Sequence, residues 1–90
     1  MIVKLIVRSG KSAGTAYPIE KAQFFIGRHD NADMRIRHPQ VSLQHCCIII
    51  RNSGVWVRDL GSTNGTYVND QLLEGECQLR DSDYLSVGPV

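Results

Sequence analysis

Short apolar runs separated by turn residues make up most of the chain, and several alternate with a period of two. Val3, Leu5 and Val7 share one face of the segment 2–8, and the intervening residues share the other, as in a strand with one face more buried than the other. A loop is predicted at residues 9–14, and no stretch sustains helical spacing. The other predicted strands are residues 16–19, 23–26, 34–36, 45–51, 55–58, 67–68, 71–73 and 84–87.

Gly, Ser, Asn, Asp and Pro recur between these runs, a rhythm typical of an all-β chain. Residues 52–54 and Asn69-Asp70 are predicted to form hairpin turns. Many short strands favour a β-sandwich, whose loops gather at the two ends. We expect one domain over residues 1–90. The sequence stops just after a strand and a turn, so the alternatives are a domain excised from a longer protein and a domain that ends short.

The charges nearly cancel, with 10 Lys and Arg against 9 Asp and Glu and a net charge of +1. Nucleic acid and membrane are therefore not expected as partners, because both usually select a strong basic excess. The longest apolar runs, such as residues 46–50, are far shorter than the ~20 residues that cross a bilayer. The apolar start contains Lys4 and no small-residue cleavage site follows it, so a secretory signal is not expected and the predicted compartment is the cytoplasm.

The three cysteines, Cys46, Cys47 and Cys77, have neither the spacing of a disulfide framework nor that of a zinc site. Cys46 and Cys47 are neighbours on a predicted strand and point to opposite faces, which places one of them in the core. We therefore expect reduced thiols, no metal and no other cofactor.

Three separated segments hold the residues best suited to bind a ligand: Gly27-Arg28, residues 42–45 and residues 62–65. In an antiparallel sandwich, segments of this kind can converge at one end. Together they offer a guanidinium, hydroxyls, an amide and backbone N–H groups without a matching cluster of carboxylates, which suits a phosphate monoester. Arginine is the apt cation because its planar fork can donate two parallel hydrogen bonds to phosphate oxygens. Residues 28–38 are also locally positive, with three Arg and two His against two Asp.

Four motifs follow one another along the chain: FIGR at residues 25–28, VSLQH at 41–45, VRDLGSTNGTYVN at 57–69 and LRDSDYLSVG at 79–88. In this order they resemble the successive signatures of the forkhead-associated (FHA) domain, from about residue 24 onward. The resemblance implies a phosphothreonine-binding module on an eleven-stranded β-sandwich of two antiparallel sheets. The strand expected after Gly88 is absent from the sequence, so we expect the last strand to be missing or truncated.

The resemblance also implies how the site is divided. Arg28 and Ser42 would hold the phosphate, Asn64 would hold the ligand backbone beside the phosphothreonine, and Thr63 would make an additional contact. The expected partner is a phosphothreonine-containing protein, with a kinase, a kinase substrate and a segment of the same chain as alternatives.

Three further motif residues are implied to be structural rather than ligand-binding. Gly27 belongs to the first motif, His45 would hold the loop that presents Ser42, and Gly65 would permit the turn after Asn64. Specificity in this family commonly depends on variable loops. Here those loops would include Arg37, His38, Gln40 and Leu43.

Each candidate residue also has an ordinary structural interpretation. Arg28 alone would be a surface arginine at a strand end, Ser42 would be a turn serine that bonds its own backbone, and Asn64-Gly65 would be a hairpin turn. The family order of the motifs favours ligand binding for all three. His29 and His38 are expected to be solvated loop residues.

Two other functions stand beside phosphothreonine binding. A phosphate-independent scaffold or self-association domain on the same fold is the alternative, motivated by Leu43, which stands where the family usually has a basic residue, and by an open C-terminal edge. A hydrolase that uses Ser42, His45 and Asp59 is disfavoured, since no G-x-S-x-G elbow precedes a helix. No enzyme activity is expected.

Overall fold

The computed structural model describes residues 3–8 and 12–90, so residue 2 of the first predicted strand and residues 9–11 of the predicted loop lie outside the described residues. The described part of the chain contains strands and turns, and no helix in it could span a membrane. It folds into ten strands: β1 Val3–Ile6, β2 Ala16–Ile19, β3 Gln23–Gly27, β4 Met34–Arg35, β5 Cys46–Arg51, β6 Gly54–Asp59, β7 Thr66–Val68, β8 Gln71–Leu72, β9 Glu76–Leu79 and β10 Leu85–Val87.

Hydrogen bonding divides the strands into three sheets. A five-stranded sheet has the order β4-β3-β5-β6-β9, a three-stranded sheet has the order β10-β7-β8, and β1 pairs with β2 alone. The prediction of an all-β sandwich is confirmed. Its hydrogen bonds differ from two antiparallel sheets in two respects: the smaller layer is divided in two, and β4 runs parallel to β3. Residues 28–33 lead the chain back past the end of β3, so that β4 starts beside Ile26 and runs parallel to β3.

One hydrophobic core receives side chains from all three sheets. Ile26, Ile48 and Val57 project from the centre of the five-stranded sheet and are almost fully buried. Ile19 from β2 and Val87 from β10 meet them, so the two smaller sheets pack against the larger one as the second layer of the sandwich. Burial of these branched side chains stabilises the fold mainly by removing apolar surface from water.

Both predicted hairpin turns are present. Val68 lies opposite Gln71 across the two-residue turn Asn69-Asp70, whose φ angles are 50° and 67°. Two successive positive φ values match the twist of the flanking strands, and Asn and Asp tolerate them better than most residues. The other turn joins β5 to β6, where Arg51 lies opposite Gly54.

The structure contains one strand that the sequence patterns did not predict. Strand β9 pairs antiparallel with β6 at the edge of the five-stranded sheet. Its outward residues, Glu76 and Gln78, are polar, and the segment follows the loop residue Gly75, so its apolar content is low for a strand. Glu76 instead receives hydrogen bonds from Arg51 and Arg58, which hold the pKa of that carboxyl at about 2.

Strand β10 ends in a tight turn that reverses the chain. Val87 and Val90 exchange two backbone hydrogen bonds of 2.7 and 3.1 Å across Gly88-Pro89. In the described part of the chain, β10 pairs along its length with β7 only, so its other edge is open. Val90 therefore lies beside the end of β10, paired with Val87.

The strand directions bring the candidate residues to one end of the sandwich. Strands β3 and β6 end there, while β5 and β7 begin there. The loops that precede or follow these strand ends contain Arg28, Ser42 and Asn64.

Candidate functional site

Arg28 directly follows β3, and two hydrogen bonds orient it. Its backbone N–H donates to the Ser42 carbonyl at 3.0 Å, and its Nε–H donates to the Val41 carbonyl at 2.9 Å. Among the described residues no hydrogen bond or carboxylate engages its two Nη atoms. The half-buried guanidinium is thus held at one side and presents its remaining donors outward.

Ser42 lies between the first motif and the loop over residues 61–65. Its hydroxyl oxygen accepts a hydrogen bond from the Thr63 backbone N–H at 3.1 Å. That bond uses a lone pair of the hydroxyl, so its O–H remains able to donate. Ser42 therefore joins two loops and still offers a donor beside Arg28.

His45 is fully buried, and both of its ring nitrogens bind backbone groups. Nδ1 accepts from the Ser42 N–H at 3.1 Å, and Nε2 lies 2.7 Å from the Gly65 carbonyl oxygen. Those partners assign the tautomer, because Nδ1 must be unprotonated to accept and Nε2 must carry the proton to donate. A neutral imidazole thereby connects the Ser42 loop to the Asn64 loop.

The Asp59 carboxylate organises the loop over residues 61–65. Oδ2 accepts from the backbone N–H groups of Gly61 and Ser62 at 3.0 Å, while Oδ1 accepts from the Ser62 and Thr66 hydroxyls at 2.6 and 2.7 Å. Burial alone would raise the pKa of Asp59, but these four hydrogen bonds outweigh it and lower the pKa overall. Sequence reasoning considered Asp59 only as a hydrolase residue. The available signal was the Asp-x-Gly-Ser spacing of an Asx turn.

Asn64 and Thr63 are exposed at the tip of this loop. The Asn64 side-chain Nδ2 donates to the Gln40 carbonyl at 2.8 Å, which leaves its amide oxygen directed elsewhere. Gly65 follows with a φ of +86°, a left-handed conformation that a residue with Cβ adopts only with strain. The exposed Asn64 amide is thus held at its nitrogen by the loop that contains Gln40.

Two glycines allow the loops to approach closely. A Cβ at Gly27 would overlap the backbone carbonyl of Leu43, so only glycine fits between β3 and the Ser42 loop. Gly88, which sequence reasoning did not single out, has a φ of +58°, and a Cβ there would lie 3.1 Å from the Gln40 carbonyl oxygen and 3.6 Å from the Asn64 Cβ. The turn after β10 therefore packs directly against the residues that hold Asn64.

The four candidate specificity residues divide into two groups. Arg37 and Leu43 line an open groove of about 590 Å³ beside Arg28. His38 and Gln40 belong instead to a local turn, in which the Gln40 N–H donates to His38 Nδ1 at 3.1 Å. The first group thus lies beside Arg28, and the second group holds the turn whose Gln40 carbonyl accepts from Asn64.

Ser42, His45 and Asp59 do not form a nucleophile, base and orienting acid. Both His45 nitrogens bind backbone groups, and the four hydrogen bonds of Asp59 go to the loop over residues 61–65 and to Thr66. The three cysteines are free thiols, and burial raises the pKa of Cys46 to about 12. Within residues 3–8 and 12–90, no group of His, Cys, Asp and Glu could hold a metal ion.

Comparison with known proteins identifies the same fold and motifs. The family model for the FHA domain matches residues 24–88. The chain is 32% identical over 84 residues to the glycogen accumulation regulator GarA of Mycobacterium tuberculosis. The alignment covers 93% of this chain and 51% of GarA, so the chain spans about half the length of that relative.

Two solved structures are closely similar. Mycobacterium tuberculosis EmbR, in complex with a low affinity phosphopeptide, is 25% identical with a TM-score of 0.90, over 98% of this chain and 22% of that one. A structure from an analysis of phosphothreonine-dependent FHA domain interactions is 33% identical with a TM-score of 0.87, over 98% of this chain and 88% of that one.

Proposed function

The chain belongs to the FHA domain family, and on this premise we propose that it binds phosphothreonine-containing segments of partner proteins through the loops at one end of its sandwich. FHA domains are interaction modules rather than enzymes, and two of the similar structures come from phosphopeptide or phosphothreonine studies. A phosphorylated protein is therefore the partner class, and the domain acts by recognition without chemical turnover.

The proposal rests on the two oriented hydrogen-bond donors that Arg28 and Ser42 offer at the same end of the sandwich. The guanidinium is fixed through Nε, and the Ser42 hydroxyl is fixed by the Thr63 N–H. Donors that are already oriented cost little conformational entropy on binding, and charge-assisted hydrogen bonds to phosphate are the strong ones. In the proposed complex Arg28 and Ser42 donate to phosphate oxygens.

Asn64 has a different role in this proposal. Its amide oxygen accepts from the ligand backbone N–H, while Nδ2 keeps its hydrogen bond to Gln40. Thr63, exposed beside it, contacts the ligand next to the phosphothreonine. Gly27, His45 and Gly65 touch no ligand and hold the loops in place.

The test is a titration with a degenerate phosphothreonine peptide library beside its phosphoserine and unphosphorylated counterparts. Arg28→Ala should weaken phosphothreonine binding by about tenfold or more, because a hydrogen bond to a charged group contributes roughly 1.5–3 kcal/mol. Arg28→Lys retains the charge but loses the planar fork, so its affinity for phosphothreonine peptides should lie between those of the wild type and Arg28→Ala. Thermal unfolding of each variant serves as the control for folding.

Unchanged binding by Arg28→Ala would exclude the proposed site. Equal affinity for phosphorylated and unphosphorylated pools would instead select a phosphate-independent scaffold.

We also place the domain in the cytoplasm, a compartment that suits its three free thiols, two of which are buried in β5.

A further inference from the structure

We propose that the pair Asn64-Gly65 is a site of spontaneous deamidation, that hydrogen bonds of its loop restrain the reaction, and that the reaction ends ligand binding. The product has a carboxyl group in place of the Asn64 amide. The effect on binding rests on the proposed function and describes a regulation of that site, whereas the chemistry at Asn64 does not depend on it.

The reaction joins a backbone group to a neighbouring side chain. The Gly65 amide nitrogen loses its proton and attacks the side-chain carbonyl carbon of Asn64. A C–N bond forms and closes a succinimide ring, while the Cγ–Nδ2 bond breaks and ammonia leaves with a proton. Water then adds to one of the imide carbonyls and opens the ring to aspartate or isoaspartate. Glycine hinders this attack least because it has no Cβ, and Asn-Gly occurs once in the sequence.

The fold keeps this reactive pair where water reaches it. Gly65 has a φ of +86°, and a Cβ there would lie 2.8 Å from the Leu72 Cδ1 and 3.3 Å from the Tyr67 ring, so another residue would be strained. Asn64 is exposed at the tip of the loop and is the residue proposed to hold the ligand backbone. Neither member of the pair is therefore readily exchanged for a less reactive residue.

Both reacting groups are held by hydrogen bonds that oppose the reaction. The Gly65 N–H donates to the Ser62 hydroxyl oxygen at 3.0 Å, and Asn64 Nδ2 donates to the Gln40 carbonyl at 2.8 Å. The Ser62 hydroxyl is itself oriented, because it donates to Asp59 at 2.6 Å. The attack needs a deprotonated nitrogen and a side chain that is free to turn toward it. Deamidation therefore requires the loop to open locally.

A carboxylate at position 64 would damage the site in two ways. It has no proton to donate to the Gln40 carbonyl, so the hydrogen bond that fixes the side chain is lost. It also places a negative charge beside Thr63, whose N–H binds the Ser42 hydroxyl, and that charge repels a ligand phosphate. Isoaspartate in addition lengthens the backbone by a methylene group and displaces the Gly65 carbonyl.

The experiment incubates the full chain at mildly alkaline pH, folded and in urea, and follows deamidation at Asn64 by tandem mass spectrometry. The unfolded wild type should react faster than the folded wild type. Ser62→Ala removes the acceptor of the Gly65 N–H, and in the folded state it should react about twofold to tenfold faster than the wild type, the rate equivalent of one ordinary hydrogen bond. Ser62→Thr keeps a hydroxyl and should react at the wild-type rate.

Asn69→Ala is the matched control, because it removes two hydrogen bonds at the opposite end of the sandwich and leaves the loop over residues 61–65 intact. Folded Asn69→Ala should react at Asn64 as the wild type does, and thermal unfolding verifies that each variant is folded. The restraint would be overturned by equal rates for the folded and unfolded wild type, by equal rates for Ser62→Ala and the wild type, or by an acceleration in Asn69→Ala as large as in Ser62→Ala. An unfolded chain that did not react at Asn64 would overturn the site itself.

Binding is tested separately with Asn64→Asp, which reproduces one product. Its affinity for the phosphothreonine peptide library should be about tenfold lower or more, and aged wild type should lose binding in proportion to its deamidated fraction. Wild-type affinity in Asn64→Asp would show that deamidation does not regulate the site, while the proposed function would stand. Failure of fresh wild type to bind any phosphothreonine peptide would overturn the proposed function, and the deamidation rates would still decide the chemistry.

Discussion

At the scale of single residues, the site depends on buried and half-buried polar groups that satisfy one another. His45 holds two loops through the Ser42 N–H and the Gly65 carbonyl, and Asp59 accepts from three donors of the adjacent loop and from the Thr66 hydroxyl. Removing one partner of such a network leaves the others unsatisfied, which costs more than the bond itself was worth. These residues therefore hold together the loops that contain Ser42 and Asn64.

Asp59→Asn should lower the free energy of unfolding at neutral pH by about 1–2 kcal/mol, because an amide presents two donors where a carboxylate accepts. The pKa of Asp59 is lowered in the folded chain. Its ionised form thus stabilises the fold above the ordinary pKa of 3.8, and that contribution is lost as the pH falls through the lower folded pKa. The difference between wild type and variant should accordingly shrink in strong acid.

Urea unfolding across a pH series measures this difference directly. Asp81→Asn, at an exposed carboxylate for which the described residues provide no hydrogen-bond donor, is the control and should change little at any pH. A difference for Asp59→Asn that stayed constant from neutral to strongly acidic pH would show that the carboxylate charge is not what stabilises the loop.

The sequence predicted residues whose type alone is informative. Gly27, Ser42 and Asn64 stand in ordered motifs, and the structure brings the segments that contain them to the same end of the sandwich, as the sequence led us to expect. Gly88 was missed as a site residue because its constraint comes from Gln40 and Asn64, which are distant in the chain. Glycine is required at position 88 only because three loops pack together in the folded chain.

At the scale of strands and turns, the sequence predicted correctly the elements that depend on residues close together in the chain. The turn Asn69-Asp70 was predictable because its positive φ values demand particular residue types. Strand β9 was not predictable, because its polar face is stabilised by Arg51 and Arg58 from strands β5 and β6 rather than by its own apolar content. The division of the smaller layer into two sheets likewise depends on which strands become neighbours.

Asn69→Ala should lower the free energy of unfolding by about 1.5–3 kcal/mol, through loss of two hydrogen bonds and through strain at a φ of 50°. Asn69 Nδ2 donates to Asp83 at 2.9 Å, and its Oδ1 accepts from the Tyr84 N–H at 3.0 Å. Asn69→Gly loses the same bonds but accepts the φ angle, so it should cost less than Asn69→Ala.

Chemical denaturation separates these two contributions as the difference between the variants. Phosphopeptide affinity should be unchanged in both, since the turn lies at the end of β7 away from the site. Equal destabilisation by alanine and glycine would mean that the backbone conformation contributes nothing and that the side-chain bonds account for the whole effect.

At the scale of the whole molecule, charge is arranged locally rather than in bulk. The net charge is +1, yet Arg28 and Arg37 face the site without carboxylate partners among the described residues. Attraction of a phosphopeptide is therefore short in range. Added salt should weaken this attraction, because the Debye length falls from about 10 Å at 0.1 M salt to about 3 Å at 1 M. Binding should be reduced rather than abolished.

Affinity for a phosphothreonine peptide should fall several-fold between about 0.1 M and 1 M salt, and the fall should be smaller for Arg37→Ala than for wild type. Fluorescence anisotropy titrations at a series of salt concentrations measure both slopes, with Arg80→Ala as the control for net charge. Parallel slopes for wild type and Arg37→Ala would mean that Arg37 does not interact with the ligand electrostatically.

The Gly65 carbonyl oxygen accepts from both His45 Nε2 and the Gly88 N–H, at 2.7 and 2.8 Å. In mechanical terms, this atom is a shared anchor point. A tensile load applied at Val90 would first strain the two hydrogen bonds between Val87 and Val90, and the bond from Gly88 to Gly65 would carry the load next. Tension on that side of the domain would therefore reach the loop that contains Asn64 before it reached the buried core.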